Sequence, residues 1–269
     1  MLNDITFGQY FPADSVIHKM DARIKLVLLV VLIVVVFLCQ NFASLGIFGI
    51  FTVAVMLLSK IPIKLYLKNI KVIIPIIIFT AILNVFYIKS GTVLLEVWKI
   101  TIWSGGVTKA TFMAVRVLLL VLISSVLTYV TTPTDLTDGL ERLFKPLKFI
   151  GLGEAVHTMS MMMTIALRFI PTLIEETDKI MNAQKARGAD LETGGIVKKV
   201  KALLPILIPL LISSVRRAYE LAEAMECRCY NGGKGRVRMK QLTLHSRDYM
   251  SVVLCAAVLT GIICCNILF

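Results

Sequence analysis

The sequence predicts an all-α polytopic membrane protein with about five transmembrane helices and a cytosolic domain of long helices. First, 57% of the 269 residues are hydrophobic, whereas soluble globular domains have about 45–50%. Second, the apolar residues form runs that reach the ~20 residues of a transmembrane helix. Third, the Lys and Arg residues behind the net charge of +12 lie mostly between these runs, as is typical of cytoplasmic loops. The basic charge therefore fits a lipid bilayer, and no nucleic-acid partner is predicted.

The first two spans come from one long apolar run. The run Leu26–Ser59 contains no charged residue, and it is far longer than the ~20 residues that one span needs. The polar pair Gln40-Asn41 lies near its middle and suits a turn. We therefore predict two helices, over about 24–40 and 43–59.

Four lysines follow the second span at regular spacing. Lys60, Lys64, Lys68 and Lys71 are separated by four, four and three residues, which places them on one face of a helix. Two interpretations stay open: a basic helix on the cytoplasmic membrane surface, or a solvated loop. Either one assigns this segment to the inside of the cell.

The third span is predicted over about 72–88, with Pro75 in its first turn, where proline is tolerated. The segment 89–110 has mixed charge and several glycines and aromatic residues, and we expect a loop there. Trp98 and Trp103 in this loop fit an aromatic belt at the membrane–water interface.

A fourth span is predicted over about 111–130 and a last one over about 248–268. The Lys- and Arg-rich segments then fall on one side of the membrane if the N-terminus is cytoplasmic and the C-terminus is outside. The chain is thus divided into a membrane domain at 1–130, a cytosolic domain at 131–247, and a C-terminal transmembrane helix at 248–269.

The segment 131–247 is helical in pattern but too polar to cross a membrane. A first helix is predicted to start at Thr132-Pro133-Thr134-Asp135, where Thr or Asp can cap it. A second helix, over about 153–187, has apolar residues at intervals of three and four and a C-cap at Gly188. A third helix is predicted over about 195–229.

Motifs for catalysis and cofactor binding are missing from the sequence. There is no nucleotide-binding loop, nucleophile elbow or zinc-binding helix, and His18, His157 and His245 are far apart. We therefore predict no catalytic residue, no cofactor and no metal site. Asn84 and Arg116 are the clear polar groups within the spans, and Arg116 either extends towards the interface or pairs internally.

Two other functions stay open from the residues alone. One is a self-contained secondary carrier or channel, although such a protein is expected to hold ionisable groups near the bilayer midplane. The other is a membrane-embedded enzyme that uses Glu175, Glu176 or His157 as acid–base groups.

Four blocks of the sequence resemble the transmembrane (T) components of energy-coupling-factor (ECF) transporters, the EcfT/CbiQ family. They are Ser15–Leu26, Thr131–Leu136, Arg168–Asp190 and Arg217–Tyr230. The resemblance implies a non-catalytic subunit in the plasma membrane of a prokaryote. It connects two ABC-type ATPases, which hydrolyse ATP, to a substrate-binding S component for uptake of vitamins or of cobalt and nickel ions.

The resemblance also implies two ATPase-docking motifs, each with a central arginine at the tip of a long helix. They are Ala186-Arg187-Gly188 and Cys227-Arg228-Cys229. An arginine at a helix C-terminus is locally favoured and can bind a partner's carboxylate with two hydrogen bonds. The alternative is that each arginine only completes its own helix end. Cysteine in place of the usual glycine after Arg228 removes backbone freedom and puts the cap geometry in doubt.

A surface for the S component is expected on the apolar faces of the same two helices. Flexible methionines suit surfaces that accept several partners, although ordinary apolar packing or lipid contact would use the same residues. The expected contact residues are Met159, Met162, Met163, Ala166, Ile170, Leu207 and Leu211.

Overall fold

The computed structural model describes residues 10–88, 90–97, 100–146, 151, 153–189, 195–232 and 245–268. Most of this chain is helical, and the all-α membrane class is confirmed. In chain order the elements are α1 (Ala22–Leu38), α2 (Phe42–Ser59), α3 (Ile63–Tyr87), β1 (Val93–Val97), β2 (Ile100–Trp103), α4 (Ser104–Val130), α5 (Pro133–Leu143), α6 (Gly153–Ala186), α7 (Ile196–Glu226) and α8 (Ser246–Leu268).

Among the described helices, α2, α3, α4 and α8 are long and apolar enough to cross a bilayer. Helix α1 has 17 residues, which is the short end of the range of about 17–25 for a transmembrane helix. A fifth span therefore stays a prediction. Helices α6 and α7 are longer, with 34 and 31 residues, but they are not among these four.

Helix α3 differs from its prediction. It begins at Ile63 rather than near 72, and Pro62 is its N-cap. The lysine-rich stretch is therefore neither a separate surface helix nor a loop, because Lys64, Lys68 and Lys71 lie on the first turns of the spanning helix itself. Lysine is a good helix former, so nothing in this stretch separates it from the apolar part that follows. Pro75 consequently lies inside the helix rather than in its first turn.

The segment 89–110, predicted as a loop, contains a short β-hairpin and the first turns of α4. Strands β1 and β2 are antiparallel, and Val93 pairs with Trp103. The strands are rich in the β-branched and aromatic residues that favour extended structure. Trp103 ends β2, whereas Trp98 lies outside the described residues.

The described chain divides into two compact units. Residues 10–139 and 245–268 form one, here called the membrane unit, and residues 140–232 form the other, here called the coupling unit. In the membrane unit, α4 packs against α1, α2 and α3, and α8 packs against α1 and α2. The buried core between α1, α2, α4 and α8 consists of Leu32, Val35, Val36, Cys39, Leu45, Phe48, Leu119, Ile123, Cys255 and Ile262.

The polar groups within the spans of the membrane unit have partners nearby. The Arg116 guanidinium donates to the carbonyl of Cys39 and lies 4.7 Å from the centroid of the Phe112 ring. Of the two predicted arrangements for Arg116, internal pairing is therefore confirmed. Asn84 donates through Nδ2 to the carbonyl of Thr80, at 2.8 Å.

A buried polar latch closes one end of the membrane unit, and we define it by Asp21, Lys25 and Asp248. The carboxylate of Asp248 accepts the backbone N–H of Asp21 (3.0 Å) and that of His245 (2.8 Å). Lys25 donates through Nζ to the carbonyl of Val130 at the end of α4 (3.4 Å). The latch therefore joins the first turns of α1 and α8 to the last turn of α4.

Helix α5 starts directly after this end of α4. The hydroxyl of Thr132 accepts the backbone N–H of Asp135 at 3.1 Å, so the predicted threonine cap is confirmed. A Cβ atom added to Gly139 would lie 3.3 Å from the Cβ of Ala22. Glycine therefore allows α5 to approach the start of α1 closely.

Candidate functional site: the paired long helices and their tips

Helices α6 and α7 pair in an antiparallel arrangement. Near the start of α6, the sulfur of Met161 accepts a hydrogen bond from the hydroxyl of Tyr230, just beyond the end of α7 (2.9 Å). Near the end of α6, Gln184 donates through Nε2 to the carbonyl of Pro205, in the first half of α7 (3.4 Å). The partner's residue number falls as the number along α6 rises, so the C-terminal tips lie at opposite ends of the pair.

A charged cluster holds the two helices together between these contacts, and we call Glu176, Ser213 and Arg217 the crossing clamp. Arg217 donates from Nε (3.2 Å) and Nη2 (3.0 Å) to Oε2 of Glu176. The hydroxyl of Ser213 donates to Oε1. The hydrogen bond from Ser213 and the positive charge of Arg217 hold the pKa of Glu176 below its ordinary value, against the opposing effect of burial.

A second polar cluster ties α5 to α6. His157 lies with Nδ1 3.1 Å from Oε1 of Glu141, and the hydroxyl of Ser160 donates to Oε2 at 2.5 Å. The carboxylates of Glu141 and Glu176 therefore both serve contacts between helices. Of the three groups named as possible acid–base residues, His157 and Glu176 thus take part in contacts between helices, and Glu175 is exposed on α6. Within the described residues, no group of three or more His, Cys, Asp or Glu side chains is placed to hold a metal ion.

The tip of α6 ends in a Schellman cap. In this motif the residue after the helix has the left-handed backbone conformation, and two backbone N–H groups beyond the helix donate to carbonyls of its last turn. The N–H of Ala189 bonds to the carbonyl of Gln184 (3.0 Å), and the N–H of Gly188 bonds to that of Lys185 (3.0 Å). Gly188 has φ +84°, a conformation that glycine adopts without steric cost. The predicted C-cap at Gly188 is confirmed, and Arg187 is the last residue before it.

The tip of α7 has the same cap, although cysteine replaces glycine. The N–H of Tyr230 bonds to the carbonyl of Met225 (3.0 Å), and the N–H of Cys229 bonds to that of Glu226 (2.8 Å). Cys229 adopts φ +55°, so a residue with a side chain occupies the left-handed position. Arg228 therefore occupies the same place in its cap as Arg187 does in the other.

The side chains of both tip arginines are available to a partner. Arg187 and Arg228 are exposed, as are the residues on either side of each in the predicted motifs. Neither guanidinium forms a hydrogen bond or ion pair within the described chain. Within the described chain, neither arginine side chain therefore hydrogen-bonds to its own helix end.

An apolar stripe runs along the outer surface of both helices. Met159 is 71% exposed and Leu211 is 66% exposed. Among the other expected contact residues, Met162, Met163, Ala166 and Leu207 are exposed and Ile170 is partly buried. Val215 and Tyr219 were not predicted, although they follow Leu211 at intervals of four and are also exposed. That spacing was the signal that could have identified them. Other large apolar residues that are exposed among the described side chains of α7 are Leu203, Leu204, Ile208 and Ile212.

Comparison with known proteins identifies the family. Residues 13–239 match the CbiQ family, described as Cobalt transport protein. The chain is 48% identical to the energy-coupling factor transporter transmembrane protein EcfT of Clostridium kluyveri, over 100% of this chain and 97% of the relative. It is 40% identical to EcfT of Bacillus subtilis over 98% of each chain, and 41% identical to EcfT of Lactococcus lactis over 94% of each. This chain therefore belongs to the EcfT family of transmembrane proteins of energy-coupling factor transporters.

Proposed function

We propose that this chain transmits motion driven by ATP from two ATPase subunits to an S component that binds a vitamin or metal ion for uptake. The observation that carries the proposal is the equivalence of the two tips. Arg187 and Arg228 occupy the same position in two Schellman caps, both are exposed, and neither has a partner in the described chain. Two equal docking elements are what a pair of similar ATPases requires.

The position of the tips suits one arginine to each ATPase. Arg228 follows the end of α7, two residues before Tyr230, which contacts Met161, whereas Arg187 follows the end of α6. At about 1.5 Å per residue, α6 extends about 40 Å between Met161 and Arg187. The planar guanidinium at each tip can form two parallel hydrogen bonds with a carboxylate in an ATPase groove. Because the cap already satisfies the backbone carbonyls, the side chain can point outward.

The apolar stripe is the proposed surface for the S component. Apolar side chains along two paired helices bind well to another apolar surface, and its methionines adapt to different partners. The crossing clamp holds α6 and α7 together, so a displacement of the tips would shift the stripe. ATP hydrolysis itself is assigned to the ATPases. In this arrangement the N-terminus and the coupling unit are cytoplasmic and the C-terminus is outside.

A self-contained carrier is the alternative, and the membrane unit gives it little support. Arg116 and Asn84 both form hydrogen bonds with carbonyls of neighbouring backbone. They are therefore not free to form a polar solute pathway. Solute uptake by the purified chain alone in liposomes would support the carrier instead.

The test is to reverse the charge of both tips. We expect the double variant Arg187→Glu/Arg228→Glu to lose co-purification with the ATPases. A glutamate at each tip would be repelled by the carboxylate that the arginine is proposed to bind in the ATPase groove. The matched control is Arg216→Glu, which reverses one exposed arginine on α7 away from the tip. The control should retain the ATPases. A double variant that co-purifies with them and transports normally would refute the proposal.

A further inference from the structure

Lys60, directly after α2, and three lysines on the first turns of α3 form an exposed basic surface, here called the lysine face. Lys60, Lys64, Lys68 and Lys71 are all exposed. None of them forms an ion pair within the described chain. The sequence contains no acidic residue between Asp21 and Glu96, so the neighbouring sequence supplies no counter-ion either. Among the described residues, the positive charge of this face is therefore not neutralised by an ion pair.

The same turns of α3 also present apolar side chains. Ile63, Leu67 and Val72 are exposed large hydrophobic residues, and they alternate with the lysines along the helix. No residue in the most apolar stretch of α3 is buried. A partner at this place therefore has to accept aliphatic side chains and ammonium groups together.

The length of α3 places the lysine face at the edge of the bilayer. Its 25 residues extend about 37 Å at the usual rise per residue, whereas the hydrocarbon core is about 30 Å thick. The uncharged part after Lys71 has only about 24 Å of that length, so the turns that carry Lys64, Lys68 and Lys71 lie where the helix crosses the edge of the core. Lysine has a long flexible stem, which lets its charge reach the headgroups while its methylene groups stay on apolar surface.

We infer that the lysine face binds the phosphate groups of anionic phospholipids. Lipid fits better than an acidic protein surface because the apolar side chains in the same turns continue into a spanning helix that is exposed along its apolar length. Ammonium groups attract anionic headgroups, and clusters of four or more lysines beside a transmembrane helix are sufficient for this attraction. The interaction does not depend on the proposed role in coupling.

The test uses the full-length purified chain and phosphatidylglycerol or phosphatidylcholine as probes. Native mass spectrometry counts the lipids retained at increasing lipid concentration. We expect wild type to retain phosphatidylglycerol over phosphatidylcholine, and the quadruple variant K60Q/K64Q/K68Q/K71Q to bind phosphatidylglycerol at least about fivefold more weakly. The binding of wild type should also weaken as salt is raised.

Two further quadruple variants separate this site from general effects. The first replaces the same four lysines by arginine, which keeps the charge and should keep the binding of phosphatidylglycerol. The second removes four exposed lysines elsewhere, K109Q/K145Q/K179Q/K201Q, and should bind like wild type. The inference is overturned if the lysine-face glutamine variant binds phosphatidylglycerol like wild type, or if both glutamine variants lose it equally. It is also overturned if the first loses a protein partner while its lipid binding is unchanged.

Discussion

The two units of this chain hold their helices together in different ways. In the membrane unit, apolar residues from α1, α2, α4 and α8 fill a buried core, and the polar latch lies buried at one end. In the coupling unit, the large apolar side chains of the stripe face outward, and a charged clamp holds α6 against α7. The membrane unit is thus held by a buried core and a buried latch, whereas α6 and α7 are held by a partly exposed charged clamp and leave their apolar stripe exposed.

This difference has a consequence for stability. Buried hydrogen bonds to a charged group are costly to remove, because the groups left behind cannot bond to water. Contacts between partly exposed charges are weaker, because water screens them. We therefore expect the latch to contribute more to the stability of its unit than the clamp contributes to its own.

The largest effect is expected from Asp248→Ala. Asp248 is 1% exposed, and its loss would leave the N–H groups of Asp21 and His245 without their acceptor. At about 1–3 kcal/mol for each unsatisfied group, we expect the free energy of unfolding of the membrane unit to fall by about 2–4 kcal/mol. Thermal unfolding in detergent measures this change. The control is Asp14→Ala, since the Asp14 side chain is 93% exposed. Equal melting temperatures for the two variants would contradict the importance of the latch.

An intermediate effect is expected from Glu176→Gln. The change keeps the size of the side chain but removes the charge that Arg217 binds. Because the Arg217 side chain is 38% exposed, we expect a loss of only about 1 kcal/mol. Hydrogen exchange of the α7 amides near Ser213 should then be about fivefold faster. In the control variant Glu175→Gln, which changes the adjacent exposed residue, the same α7 amides should exchange as fast as in wild type. Exchange that is equally fast in both variants would show that the clamp does not hold the helices together.

The clamp also predicts a dependence on pH. Because the pKa of Glu176 is lowered in the folded chain, its contribution to stability is complete above the ordinary carboxyl pKa of about 4.3. The contribution is lost as the pH falls through the lowered value. The difference in unfolding free energy between wild type and Glu176→Gln should stay constant from pH 7 to about pH 5 and decrease in more acidic solution. A difference that grows on acidification has the wrong sign for this mechanism.

Much of the fold could be predicted because apolar runs and helix caps are local signals. The second long helix was predicted over 153–187, and α6 spans Gly153–Ala186. The start of α3 could not be predicted in the same way. Four lysines within the twelve residues 60–71 lower the local hydropathy, so the apolar signal begins later than the helix. The latch was also missed, since Asp21 and Asp248 are separated by 227 residues and no local pattern links them.

The candidate site was predicted in part. The tips were identified by resemblance, and their exposure could be expected from the polar sequence around them. The crossing clamp depends on which residue of α7 meets Glu176, and that is set by the packing of the two helices. The equivalence of the two caps was also not predictable, because cysteine rarely adopts a left-handed conformation and sequence alone argued against it at Cys229.

The smallest effect is expected from a substitution of Cys229. Together with a substitution of Gly188, it compares the caps of the two tips directly. Cys229→Gly should stabilise the tip of α7 by about 0.5–1 kcal/mol, because glycine adopts the left-handed conformation without the cost that a side chain adds. Gly188→Ala should destabilise the tip of α6 by about 1 kcal/mol for the converse reason. Hydrogen exchange of the cap amides, Tyr230 in one tip and Ala189 in the other, measures both changes.

The same pair of changes separates cap geometry from thiol chemistry. If docking needs only the arginine and the Schellman cap, Cys229→Gly keeps both and should leave ATPase co-purification unchanged. Cys227→Ala is the matched control, because it removes an exposed thiol from a residue with φ −58° and leaves the left-handed position untouched. Weaker ATPase association in Cys229→Gly but not in Cys227→Ala would show that the Cys229 side chain itself contacts the partner. The two tips would then be alike in their backbone caps but not in their side-chain contacts, and the two ATPase sites would differ in the side chains that they accept.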